Sequence, residues 1–281
     1  MRFLYRYYGN LDYVLDTIAN KRLYFSSPTN FEDPFDCRPK FTLFSCKREP
    51  DSIWEKYFRL LAKERYPSIS DVDAGEHAKA AVAKGSHRDK CWLRETDEAM
   101  RNSLITHVSN ERICCFSRSP RNSMMWAHYA DNHRGLVLQF KATEMTDPGG
   151  SYKGFDVEYY SHRIPLSRYV EAMASTANGD DVAFSRLMLC SKSCEWRPEE
   201  EVRFFSRAAY VPYPETMLTG ILFGSECSVH WKAHVYQALS EWSSKPSMFD
   251  EDSVASSIKL CFKRARKPVE GGSRSAFRVR P

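Results

Sequence analysis

The run MMWAHYADNHRGLVLQF, from Met124 to Phe140, holds the densest polar-aromatic chemistry in the chain: Trp126, His128, Tyr129, Asp131, His133 and Arg134 ahead of Gly135. Three further sets stand apart in sequence: Arg6 between Tyr5 and Tyr7, Ser117 at the end of an apolar run, and the E-x-E pair Glu199 and Glu201. An arginine holds phosphate oxygens in a planar fork. An aromatic ring stacks on a flat cationic ring. A glutamate bonds a ribose hydroxyl and steadies an oxocarbenium-like centre as a glycosidic bond breaks. Together these residues suit a substrate with a diphosphate and a positively charged aromatic ring, and the chemistry is that of splitting nicotinamide from NAD. In that scheme Glu201 is the catalytic carboxylate, with Tyr129 on the nicotinamide side and Glu199 in support. Arg6, Tyr5, Ser117, Trp126 and His128 hold the dinucleotide. NAD is the expected substrate, and no metal is expected.

Each residue also has a plainer use. Arg6 with Glu199 or Glu201 would make a buried ion pair that accounts for both strands. Trp126 and Tyr129 would serve as core residues, and Asp131 and Asn132 as turn formers. Asp33 and Asp36, in an acidic-aromatic loop with a proline, would accept backbone N–H groups, or would join the glutamates around a magnesium ion in a nuclease or other hydrolase. G-x-S-x-G, G-x-G-x-x-G, the P-loop and H-E-x-x-H are all absent from the sequence.

The elements that must position these groups follow from periodicity. Arg2–Tyr8 alternates and is aromatic-rich, so it reads as a strand with Phe3, Tyr5 and Tyr7 on one face and Leu4, Arg6 and Tyr8 on the other. Leu11, Val14, Leu15 and Ile18 have helical spacing. Leu23–Ser26 is a short strand stopped by Pro28. Residues 51–110 are charge-rich with helical periodicity, and read as a helical insertion of two or three helices with a loose middle near Ala74–Ser86. Arg112–Ser117 and Leu136–Phe140 read as partner strands around a helix bearing Trp126, His128 and Tyr129. Val182–Cys194 reads as a helix. Pro198 stops helix, so Glu199–Phe205 reads as a strand with Glu199, Glu201 and Arg203 on one face. Leu218–Phe223 is a buried strand, Cys227–Trp242 a helix, and Ser257–Phe262 and Ala276–Val279 closing strands. The expected architecture is α+β, a compact mixed or antiparallel sheet with flanking helices, as a single domain over 1–281.

Apolar content of 42% and charged content of 27% over 281 residues are ordinary for a globular chain. No apolar run reaches the roughly eighteen residues of a membrane span, and the polar N-terminus does not resemble a signal peptide. Nine scattered cysteines without C-x-x-C argue for reduced thiols, and a cytoplasmic setting is expected. Cys190 and Cys194 with His162 are spaced more widely than most zinc ligands. The net charge is +5, but the segment from Lys259 to the end carries eight Lys and Arg against Glu270, so the excess sits in this basic C-terminal tail (263–281 in the main). Such a tail either contacts nucleic acid or is a solvated terminus.

The chain resembles a widespread bacterial family known only as domain of unknown function 2971. The resemblance rests on Leu4-Tyr5-Arg6-Tyr7, Phe25-Ser26-Ser27-Pro28, Phe31 to Asp36, Cys115-Phe116-Ser117, Met125 to Gly135 and Trp196 to Arg203, in that order. The family name implies no activity. More distantly, the segment order is similar to an ADP-ribosyltransferase core, in which a first-strand Arg or His, a middle Ser or Tyr and a late-strand Glu frame NAD. That likeness implies Arg6, Ser117 or Tyr129, and Glu201 in those roles, and a toxin or phage-defence effector acting on a protein or nucleic-acid acceptor. A Ser-Thr-Ser triplet and a first-strand His are missing. The competing readings are a non-catalytic nucleic-acid-binding module using the basic tail and the metal-dependent hydrolase above. No membrane partner is expected.

Overall fold

The computed structural model describes residues 3–31, 36–37, 42–108, 111–142, 153–162, 164–180, 182–251 and 262–265. In chain order the elements are β1 (Phe3–Tyr8), α1 (Leu11–Ala19), β2 (Arg22–Tyr24), α2 (Leu43–Cys46), α3 (Asp51–Arg65), α4 (Asp71–Ala83), α5 (Lys90–Val108), β3 (Arg112–Ser117), α6 (Ser123–Tyr129), β4 (Leu136–Lys141), β5 (Lys153–Asp156), β6 (Glu158–Tyr160), α7 (Leu166–Ala177), α8 (Ala183–Leu189), β7 (Ser191–Ser193), β8 (Glu201–Ser206), β9 (Tyr210–Pro212), β10 (Leu218–Phe223), α9 (Val229–Ala238), β11 (Ser247–Glu251) and β12 (Phe262–Arg264). The fold is α+β. It divides into two units: residues 1–24, 116–149 and 210–281 form the first, and 25–115 with 150–209 the second.

In the first unit the strands run in the order β12-β11-β10-β4-β1, with the end of β3 beyond β1. The sheet is mixed, because β10 and β11 are parallel and the other pairs antiparallel. The expectation that β3 pairs with β4 is corrected: both neighbour β1, and β1 lies between them. Strand order is a long-range property that the local pattern of either strand does not contain.

Register and alternation sort the side chains of this sheet into two faces. Leu4, Arg6 and Tyr8 lie opposite Phe140, Leu138 and Leu136, which continue to Ile221 and Phe223. Apart from half-buried Arg6, this face is apolar and buried, as are Val14 and Ile18 of α1 and Val235 of α9. Asn10 caps α1 by accepting the Asp12 and Tyr13 N–H groups. Phe3, Tyr5 and Tyr7 lie opposite Lys141, Gln139 and Val137, and that second face continues through Gly220 and Leu222 to Ser247 and Phe249. It mixes aromatic, polar and glycine positions, which a fully covered face would not tolerate.

The second unit is largely helical. Its core includes Trp54, Tyr57 and Phe58 of α3, Leu93 of α5, Leu166, Tyr169 and Val170 of α7, and Leu187 to Leu189 of α8. Pro50 starts α3, whose buried residues at i, i+3 and i+4 form one stripe. The loose middle expected near Ala74–Ser86 is instead α4. Ser70 caps it by accepting the Asp73 N–H, buried Ala74 and Ala78 line one side, and Gly85 ends it in the left-handed region at φ 77°. The helix expected over Val182–Cys194 ends at Leu189 and gives way to β7, which pairs in parallel with β6. A 3-10 turn over Cys194–Glu199 follows, and left-handed Glu200 (φ 46°) turns the chain into β8, which pairs with β5. The strand expected from Glu199 therefore begins at Glu201.

Of the basic tail only Phe262–Ala265 is described. The strand expected at Ala276–Val279, and Asp33 in the acidic loop, lie outside the described residues. No described helix is long and apolar enough to cross a membrane.

Candidate functional site

The second unit gathers charge at one buried point. Arg203 on β8 is fully buried. Its guanidinium makes two forks: Nη1 and Nη2 donate to Asp36 at 2.8 and 2.7 Å, and Nε and Nη2 donate to the Glu201 oxygens at 2.8 and 2.9 Å. Nη1 also donates to the Leu189 carbonyl at 2.6 Å. Lys192 on β7, also buried, places Nζ 2.5 Å from Glu199, 3.3 Å from Glu201 and 3.4 Å from Asp36. Residues 201 and 203 share a face because β8 is extended, and Glu199 reaches the same point from the turn before it.

Both oxygens of Asp36 and of Glu201 are therefore taken. Burial pushes the Glu201 carboxyl up, but Arg203 and Lys192 outweigh it and hold the group at about 2. Burial pushes the thiols of Cys37 and Cys115 up, and the neighbouring carboxylates add to this. Phe31 covers the guanidinium of Arg203, and Trp196 lies beside the Lys192 ammonium. The ion pair expected between Arg6 and a late glutamate is thus supplied to the glutamates by Arg203 and Lys192. Among the described residues no group of three or more His, Cys, Asp or Glu side chains is arranged to hold a metal ion.

The remaining expected site residues lie in the first unit, on different faces. Tyr5 and Ser117 are cross-strand partners. Burial raises the Tyr5 hydroxyl above its ordinary range, and Arg121 opposes it. Ser117 is buried, donating to the Ser119 carbonyl at 3.0 Å and accepting the Ser119 N–H. Arg6 points to the opposite face, between the rings of Tyr8 and Phe116, and donates to the Tyr24 carbonyl. Trp126 is fully buried, with its indole N–H on the Pro120 carbonyl at 2.7 Å and Tyr7 against it edge-on. His128 and Tyr129 are exposed on α6. Glu199 and Glu201 belong to the second unit.

Two features of the first unit were not anticipated. The first is an open cavity of about 530 Å³ on the polar-aromatic face, lined by Phe3, Gln139, Lys141, Thr219, Ser247 and Phe249 among others. Gln139 and Thr219 are linked by a 3.0 Å hydrogen bond. Alternation alone places Phe3, Gln139 and Lys141 on one face once β1 is known to pair with β4. The second is a His–Glu pair. His133 Nδ1 lies 3.0 and 2.9 Å from the two oxygens of buried Glu251.

Part of the chain has a counterpart among known families. Residues 125–204 match the model of a family described as Protein of unknown function (DUF2971). Over this stretch the chain is similar to that family. The matched segment includes Trp126 and His133 of the first unit and Lys192, Glu199, Glu201 and Arg203 of the second. No curated protein and no solved structure matches the chain.

Proposed function

We propose that this protein binds a nucleotide-type ligand on the polar-aromatic face of its first unit, with NAD the member of that class to test first. The observation that carries the reading is the cavity beside Lys141. Its volume of about 530 Å³ falls in the roughly 300–1,000 Å³ range of small-molecule sites. Phe3 and Phe249 offer ring faces to a base, Lys141 offers a point charge to a phosphate, and Gln139, Thr219 and Ser247 offer donors and acceptors to ribose hydroxyls. Tyr5 continues the same face. The likeness to ADP-ribosyltransferases implies NAD as the substrate and transfer of its ADP-ribosyl group to a protein or nucleic acid.

Titration calorimetry and thermal shift with NAD, ADP-ribose and AMP test the proposal. Saturable binding that raises Tm with ligand concentration is expected. Lys141→Ala is expected to weaken it about tenfold, the loss of one charge-assisted contact. Ser247→Trp, which fills the cavity, is expected to abolish it. No binding at millimolar ligand, or undiminished binding by Ser247→Trp, overturns the reading. Nicotinamide release from bound NAD then separates a transferase from a binding protein.

A further inference from the structure

The loop after α6 holds three consecutive non-glycine residues in the left-handed region: Asp131, Asn132 and His133, at φ 47°, 52° and 65°. Asp, Asn and His are the side chains that tolerate this region best, yet a left-handed turn still costs roughly 1–2 kcal/mol per residue. Something must hold it. The Asn132 and His133 N–H groups return to the Ala127 and Trp126 carbonyls, and the Gly135 N–H to that of Ala130. Asp131 and Arg134 form a two-point ion pair within the loop.

What the turn achieves is the placement of one imidazole. The His133 ring lies flat on Trp126, centroids 5.6 Å apart and planes 8° from parallel. Its Nδ1 faces the Glu251 carboxylate, which is itself fixed by the Ser225 N–H at 2.8 Å. The carboxylate is 4% exposed while the imidazole remains 25% exposed. A histidine whose Nδ1 is held by a buried carboxylate presents Nε2 as the basic nitrogen, and the carboxylate steadies the imidazolium that forms when Nε2 takes a proton.

We propose that His133 and Glu251 form a proton-transfer site. Nε2 takes the proton of a water or hydroxyl group that reaches the part-exposed ring, Glu251 stabilises the imidazolium formed, and the proton passes back to that same oxygen. The inference stands on this geometry and does not require the cavity to bind a nucleotide.

Two measurements on the full chain test it. Long-range ¹H–¹⁵N spectra of ¹⁵N-histidine-labelled protein, recorded at alkaline pH so that the tautomer of the neutral ring is read, are expected to place the His133 proton on Nδ1. Diethyl pyrocarbonate, read by peptide mass spectrometry, is expected to acylate His133 at Nε2 at least as fast as exposed His77 and His230, despite its smaller exposure. Glu251→Gln is expected to slow His133 about tenfold and leave His77 unchanged, which also reports that the variant is folded. An Nε2–H tautomer in the wild-type protein overturns the proposal. So does a His133 that stays unmodified while His77 and His230 react, or a rate that Glu251→Gln leaves unchanged.

Discussion

Asp36 and Arg203 meet as a buried two-point fork, 2.8 and 2.7 Å long, although 167 positions separate them in the chain. The geometry makes the pair a structural tie. Arg203 without Asp36 would keep one fork, whereas Asp36 and Glu201 without Arg203 would be left as buried carboxylates near a single ammonium. Removing one member of such a network typically costs about 3–5 kcal/mol. Arg203→Ala is therefore expected to lower stability by that amount in urea unfolding. Arg203→Lys is expected to recover little of it, because an ammonium cannot make two forks. An Arg203→Lys protein as stable as wild type would show that the forks contribute little.

The same cluster is expected to contribute to the acid limb of stability. Glu201 is held at about 2 in the fold against an ordinary 4.5. A depressed carboxyl contributes stability that is complete above its unfolded value and lost as pH falls toward its folded one. The window is thus pH 4.5 down to 2, and the expected loss is on the order of 3 kcal/mol. Glu201→Gln is expected to be less stable at neutral pH and to show a flatter decline across that window. Urea midpoints at pH 6, 4 and 3 for both proteins check the sign.

Part of this was legible in the sequence. The E-x-E-x-R spacing puts Glu201 and Arg203 on one face of any extended strand, and they share one. The helix at Ser123–Tyr129 and the strand after Gly135 follow from local pattern and stand where expected. Lys192 was invisible, because the run around it has helical periodicity and only pairing with β6 makes it strand. Asp36 reads as a turn former, and it does accept the Cys37 N–H at 2.7 Å, but its tie to Arg203 is purely tertiary. His133 and Glu251 lie 118 positions apart, and nothing local to either signals the other.

His87 gives a second pH dependence, in the helical part of the second unit. It is 1% exposed, packs against Trp54, and has Nε2 3.3 Å from Asp51. Burial, helped by Arg88, holds its pKa below the ordinary 6.5, and Asp51 only partly opposes this. The unfolded chain therefore takes up a proton on His87 before the folded chain does. The contribution of His87 to stability is complete above pH 6.5 and is lost as pH drops below it. His87→Phe, which keeps the aromatic contact with Trp54, is expected to remove this decline. Thermal unfolding at pH 7.5 and 5.5 should then show a smaller difference for the variant than for wild type.

Two glycines allow the left-handed turn to pack closely against its neighbours. A Cβ on Gly224 would lie 2.0 Å from the His133 carbonyl oxygen, and one on Gly135 would lie 2.0 Å from the Tyr8 carbonyl oxygen. Both obstacles are backbone, so no side-chain rotation relieves them. The Gly224 N–H also donates to the Gly135 carbonyl at 3.1 Å, which ties the two positions together. Gly224→Ala is expected to push β10 away from the turn and to cost at least the roughly 1–3 kcal/mol of core overpacking. It should also loosen His133 from Glu251, since Glu251 is anchored by the N–H of the next residue, Ser225. The expected signature is a lowered urea midpoint together with a changed ¹⁵N shift at His133. A Gly224→Ala protein with wild-type stability and an unchanged His133 signal would mean that the turn does not depend on close approach at this glycine.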